Sequence, residues 1–509
     1  MRTTALVGFG DPLYLKTVLI VLYISLSIAL TSIVNELARQ SKKDKKLLLW
    51  FLLVPILLLV PMPAQHSANT FVHESIASSI FETPFNPGFC VFYENGNCIA
   101  KSLGVWTHAY HITLAPFKLL GAHWVKIFNS LCFSITAIFT YLLVKKSGRS
   151  PWFTLAFLIP TQLAFISTPV LGMLSMAIGS AMMYFTISTV EGDPKLFDAI
   201  ATSAFFIHIR PENFVYFLLL LPSLSKKLVK NKKAWGLILL NAPVKVAEYF
   251  RGLSVEWLPN MGYRFSKIIS LFPANLKFIF NPAEFNLVFA VLLVAGSFIA
   301  FRKKKPLLAI LPWASLAIYT TKLPGIVFYH SYNITSRYLL TFVVACLPCI
   351  YFGLKYLQLP KWILPLAVIP FLLMRPSASH DAVLFDTATQ FADELANLSN
   401  ENGMVIYSMF PHIFKTAERS AWVMDDFIYT SGDYLAVDPR FFIKTHQSDC
   451  IISKFSEVHG IPLYNFSCTL NPSRFIGFHK PRKNLYQGCL HIAWAIQNFF
   501  SVQTTQASS

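Results

Sequence analysis

Apolar runs of roughly 15 to 22 residues, long enough to cross the hydrocarbon of a bilayer, recur along most of this chain. No other feature constrains its fold as strongly. Backbone N–H and C=O groups inside hydrocarbon must find their partners within the protein, so such runs predict helices. Composition agrees. Charged residues are 13% of the chain and hydrophobic residues 54%, with 46 Phe among the 509 positions. An ordinary soluble domain carries about 25% charged residues, so too little polar surface is left to cover a globule in water. The first run, Leu13 to Val34, lacks a basic start and a small-residue cleavage site and reads as a retained helix.

A formal charge of +18 raises the question of nucleic acid, which the distribution of the charges excludes. The basic residues form no stripe with interleaved aromatics. They sit in short clusters between apolar runs: Arg39 with Lys42, Lys43, Lys45 and Lys46; Lys145, Lys146 and Arg149; Lys226 to Lys233; Arg302 to Lys305; and, more weakly, Lys355 with Lys361. That is the positive-inside pattern. One threading puts every cluster on the cytoplasmic side, with spans at 13–35, 48–63, 123–144, 151–168, 170–189, 197–209, 212–225, 235–249, 283–301, 306–321, 337–356 and 361–375. Both termini then lie outside. The spans 197–209, 212–225 and 235–249 are short, and two of them are open to a re-entrant or tilted reading.

This threading gives an α-helical polytopic membrane protein of about 11–12 helices in three parts. Residues 1–47 form an extra helix and a basic cytoplasmic loop. Residues 48–376 form the transmembrane core, with outer loops 64–122 and 250–282. Residues 377–509 form a small α/β domain on the non-cytoplasmic side. Polar residues return in that tail, with a helix-like stretch Asp381–Asn397 and a strand-like Met404–Ser408. Asn-x-Ser/Thr sequons at Asn333, Asn397 and Asn465 all fall outside, as does the pair Cys90 and Cys98, a candidate disulfide. Cys132, Cys346 and Cys349 lie within spans and read as core residues. Zinc spacing, a Walker loop and a dinucleotide fingerprint are absent, so no metal site and no cofactor is assigned, although a divalent cation stays open.

Polar residues in or beside a span are costly and point to function. The first outer loop opens FVHESIASSIFE, bringing His73, Glu74 and Glu82, and closes HAYHITLAPFKLLG, bringing His108, Tyr110 and His111. A carboxylate at such a boundary, tuned by partial burial, suits a base that takes a proton from a hydroxyl. Equally, two glutamates eight residues apart suit the wet face of a surface helix. Arg210, Pro211 and Glu212 interrupt an apolar stretch. Either the two charges satisfy one another, or Arg210 reaches a phosphate while Glu212 orients it. His330, Arg337 and Tyr338 stand at the outer mouth of a later helix, where an arginine runs against the positive-inside trend. The loop carrying Arg251, Glu256, Trp257, Arg264 and Lys267 is amphipathic and suits an anionic lipid surface.

In their order along the chain, the HAYHITLAPFKLLG stretch, the RPE at 210–212 and the RYLL at 337–340 resemble the GT-C glycosyltransferases. The branch they resemble contains the dolichyl-phosphate-mannose protein mannosyltransferases and the lipid A aminoarabinose transferases. The resemblance implies transfer of a sugar from a polyprenyl-phosphate-linked donor to an unidentified acceptor on the non-cytoplasmic face of a cell membrane or endoplasmic reticulum membrane. It casts Glu74 as the base, with His73 and Glu82 as alternates. Arg210, Glu212, His330, Arg337 and Tyr338 would hold lipid phosphate, and His108, Tyr110 and His111 would contact acceptor or sugar. Membrane lipids are the other expected partners. The sequence departs from the family where an aspartate, often Asp-Glu, is replaced by His73-Glu74. It also lacks the Trp-Trp-Asp signature of oligosaccharyltransferases. A silent relative that binds lipid-linked sugar or a partner protein, and a secondary transporter, are the competing readings.

Overall fold

The structure is a computed structural model. It describes residues 12–60, 68–85, 88–94, 97–102, 108–157, 171–210, 212–252, 285–322 and 337–367, the strands between 405 and 468, and a few isolated positions. The chain is a membrane protein, and its described residues are mostly helical. Helix α1 is Pro12–Ala38, α2 Lys42–Leu59, α3 Ala68–Glu82 and α4 Ala109–Leu114. A 3-10 helix, Ala115–His123, leads into α5, Trp124–Lys146. Then follow α6 (Leu171–Val190), α7 (Leu196–Phe206), α8 (Asn213–Leu228), α9 (Lys232–Gly252), α10 (Leu287–Arg302), α11 (Pro306–Lys322) and α12 (Arg337–Tyr356).

Among the described residues, three stretches are long and apolar enough to cross a membrane: Lys16–Ala38, Trp124–Lys146 and Leu171–Val190. At 1.5 Å per residue, the 23 residues of α5 reach about 35 Å, more than the roughly 30 Å of hydrocarbon. Their surroundings differ. The apolar window of α6 is 94% buried and that of α1 44%, so α6 is the hub and α1 lies at the rim. Helix α6 packs against α5, α7 and α12. Such contacts between helices that are apolar all round depend on close approach. A Cβ on Gly296 of α10 would stand 1.8 Å from the Cys349 carbonyl oxygen of α12, so these two helices touch backbone to backbone.

Ion pairs gather at one end of the bundle. Lys146 of α5 pairs with Asp193 (2.6 Å), and Lys195 pairs with Glu36 of α1 (2.5 Å). Lys227 of α8 donates to the Thr189 carbonyl, and Lys355 of α12 pairs with Glu191. Asp44, in the first turn of α2, accepts from Lys145, Ser41 and Tyr141. The Lys145 ammonium and the Ser41 hydroxyl hold its carboxyl at about 2. These are the basic clusters of the sequence, and the contacts place the last turns of α1, α5, α6, α8 and α12 at one level. The first turn of α5, with α3 and α4 beside it, therefore lies at the opposite end.

Helix boundaries fall within a few residues of the spans read from the sequence, with three differences. The short span 235–249 belongs to a helix of 21 residues, Lys232–Gly252. Asn241 and Lys245 dilute its hydropathy, although each is 1% exposed. At 151–168 and 361–375 the described parts, Pro151–Phe157 and Lys361–Ala367, are 3-10 helices.

The strands form one seven-stranded mixed sheet in the order β2-β1-β4-β3-β5-β7-β6. Strands β1 (Phe89–Glu94) and β2 (Asn97–Ser102) are a hairpin of the first outer loop. The tail supplies β3 (Val405–Ser408), β4 (Ala421–Val423), β5 (Gly432–Ala436), β6 (Cys450–Val458) and β7 (Ile461–Cys468). Strand β1 pairs antiparallel with β4 through Phe92↔Trp422 and Tyr93↔Ala421, so the loop and the tail share a sheet. In the hairpin register Cys90 faces Lys101 and Cys98 faces Tyr93. The two cysteines are therefore not cross-strand partners. Cys132, Cys346 and Cys349 are buried free thiols, as their place in the spans implies.

Candidate functional site

Two polar constellations stand away from the ion pairs, the first of them at the opposite end of the bundle. The first joins α3 to α4. His73 is fully buried on α3, and its Nδ1 lies 2.9 Å from Nε2 of His111 on α4. One of these nitrogens must carry a proton and the other must not, so the contact needs at least one neutral ring. Tyr110 meets the His73 ring edge-on at 5.5 Å between centroids, and the His108 ring lies 5.9 Å from that of His111. The sequence grouped His73, His108, Tyr110 and His111 from the two ends of one loop, and the fold brings all four together. They form a packed interior cluster, each 1% exposed or less. His73→Ala removes a ring packed on both partners and is expected to cost about 2–4 kcal/mol. A lower thermal midpoint in detergent would register that loss, and an unchanged midpoint would contradict it.

Glu74 follows His73 on α3 and is half-buried. Burial pushes its carboxyl up to about 7, because leaving water penalises the charged form. Glu82, eight residues on, is exposed and ion-paired with Lys118 at 2.7 Å. The two glutamates are thus in different situations. One is desolvated, and the other sits in solvent against a lysine.

The second constellation is the break between α7 and α8. Arg210 Nε and Glu212 Oε1 are 2.7 Å apart, with both side chains buried. The guanidinium lies 5.9 Å from the centre of the Tyr319 ring of α11. Helix α7 has 11 residues, about 16 Å, too few to cross the hydrocarbon before the break. Pro211 lies outside the described residues.

Side chains from four other helices stitch the break. Asn213 donates to the Phe206 carbonyl (2.9 Å) and to Ser175 of α6 (3.3 Å). His208 Nε2 lies 3.0 Å from Oδ1 of Asn241 on α9, which also accepts from Ser25 of α1. Tyr216 meets Ser315 and Tyr319 of α11. Ser25, Asn213, Tyr216, Asn241 and Lys245 are not among the residues expected from the sequence. Their signal was the one used elsewhere, a polar residue at membrane depth, and Asn241 and Lys245 at i and i+4 share a helix face.

Helix α1 packs against α4, α7 and α9. Arg337 and Tyr338 open α12. Their side chains, and His330, lie outside the described residues. Among the described residues no group of three His, Cys, Asp or Glu is arranged to hold a metal ion.

No family model matches the sequence, and no curated protein matches it. One solved structure does, the apo crystal structure of ArnT from Cupriavidus metallidurans. The alignment covers 83% of this chain and 98% of that one, at 11% identity and a TM-score of 0.37. At that distance the roles of individual residues have to be argued from their own geometry.

Proposed function

We propose that this protein is a multi-pass membrane glycosyltransferase acting on its non-cytoplasmic face, where the loop 64–122 and an α/β tail domain meet. In this reading it moves a sugar from a polyprenyl-phosphate-linked donor to an acceptor hydroxyl. The observation that carries the reading is Glu74, a half-buried carboxyl on α3 that burial pushes up to about 7. A base with that poise is ionised in about half of the molecules at pH 7 and is basic enough to accept a proton from a hydroxyl.

The chemistry follows from these groups. The acceptor oxygen attacks the anomeric carbon and loses its proton to Glu74. The bond from that carbon to the phosphate oxygen breaks, and its electron pair leaves with the polyprenyl phosphate. Arg210 and Arg337 hold the departing charge in a site with little water, where a cation is most effective. Glu212 fixes the Arg210 side chain at 2.7 Å. Of the alternates for the base, His73 is buried against His111 and Glu82 is paired with Lys118, which favours Glu74 over both. His108, Tyr110 and His111, expected to contact acceptor or sugar, are buried together with His73.

Arg337→Ala is expected to weaken binding of polyprenyl phosphate by about 1.5–3 kcal/mol, the worth of a charge-assisted bond. Affinity for acceptor should stay unchanged. Native mass spectrometry of the protein titrated with polyprenyl phosphate measures the first, and an unchanged donor affinity would remove Arg337 from the site. A silent lipid-binding relative is the second reading. It is favoured by the sequestered His73, standing where the family carries its aspartate. Such a protein would bind the lipid without consuming it.

A further inference from the structure

Four large apolar side chains are open at the end of the bundle away from the ion pairs. They are Phe81 and Phe85 at the end of α3, 41% and 47% exposed, and Leu119 and Leu120 on the 3-10 helix Ala115–His123, 74% and 52% exposed. They belong to one surface. The 3-10 helix packs on α3. Lys118, next to Leu119, bonds to Glu82 at 2.7 Å and lies 5.8 Å from the centre of the Phe81 ring.

Position says what covers this surface. The 3-10 helix runs directly into Trp124, the first residue of a helix long and apolar enough to cross a membrane. Within the last turn of the 3-10 helix, Gly121 has φ +74 and ψ −154, a positive φ that favours glycine. There the chain turns a corner as it enters the span. The patch therefore stands on the outside of the bundle where the chain enters that helix, and Lys118 and Glu82 form its polar rim. An amphipathic segment in that place lies in the interface plane with its apolar face in the acyl boundary, while a long lysine reaches back toward the headgroups.

We propose that residues 115–123 and the end of α3 form an interfacial strap. Leu119, Leu120, Phe81 and Phe85 lie in the acyl layer of the leaflet that Trp124 enters, and Lys118 and Glu82 lie among the headgroups. The strap fastens α3, the helix of His73 and Glu74, to the membrane surface. It does so whether or not the protein transfers sugar.

The test uses the full wild-type chain in vesicles of phosphatidylcholine and phosphatidylglycerol that contain a phosphatidylcholine with a photoactivatable diazirine in its acyl chain. After illumination, peptide mass spectrometry locates the adducts. Val291 and Val294 on α10, exposed on an apolar helix, are the internal reference. Adducts on 115–123 within about threefold of the α10 level are expected for a segment at the acyl boundary. Weaker labelling, or labelling by a water-soluble diazirine in its place, would overturn the strap and leave the surface to water or a protein partner. In the double variant Leu119→Lys, Leu120→Lys, adducts on the strap should fall about tenfold while those on α10 persist. Unchanged labelling would equally contradict the proposal.

Discussion

Glu74→Gln is expected to lower sugar transfer by a factor of about 10²–10⁴, the usual contribution of a positioned general base, with abundance and folding preserved. Glutamine keeps the size of the side chain and removes the proton acceptor. It also removes the cost of ionising a half-buried carboxyl, so the variant should be no less stable than the parent. The same residue sets the pH dependence. Burial raises its carboxyl to about 7, and the acting form is the ionised one. Turnover at low acceptor concentration should therefore fall about tenfold per unit below pH 7 and level off above it. Glu74→Gln should lose that acid limb along with the rate. A variant retaining full activity, or the limb, would show that Glu74 is not the base.

Glu212→Ala is expected to destabilise the bundle by about 3–5 kcal/mol, because it removes the carboxylate bonded to a buried guanidinium. The double variant Arg210→Met, Glu212→Leu should recover most of that loss, since well-packed apolar residues often replace a buried ion pair without penalty. This comparison separates the two readings of the pair. If Arg210 holds phosphate, the double variant is folded and inactive. If the pair is structural alone, the double variant is folded and active. Thermal unfolding in detergent and transfer activity, measured on the same preparations, decide between them.

Most of the helical framework was legible because its signal is local. Apolar length set α1, α5 and α6, and basic clusters marked the end at which Lys146, Lys195, Lys227 and Lys355 are bonded. The break at Arg210 was legible from its proline and paired charges. The strand-like Met404–Ser408 corresponds to β3, Val405–Ser408. What escaped depends on contacts between distant segments. Pairing of Tyr93 with Ala421 joins residues more than 300 apart, and hydrophobic pattern carries no record of such partners. The bond from His208 to Asn241 escaped for the opposite reason. Asn241 and Lys245 made their helix look short, when they were the polar residues buried within it. Among the first-loop residues the types were legible and their separate situations were not. Four aromatic and imidazole rings packed into an interior leave one desolvated carboxyl, Glu74, and that division required the fold.

The most direct test of the account is the release of free polyprenyl phosphate from the lipid-linked sugars of native membranes. Purified wild-type protein and its Glu74→Gln variant, reconstituted in those lipids, should differ. Release that depends on the wild-type carboxylate is the expected result. Equal release by both proteins, or none by either, would contradict a glycosyltransferase built on Glu74.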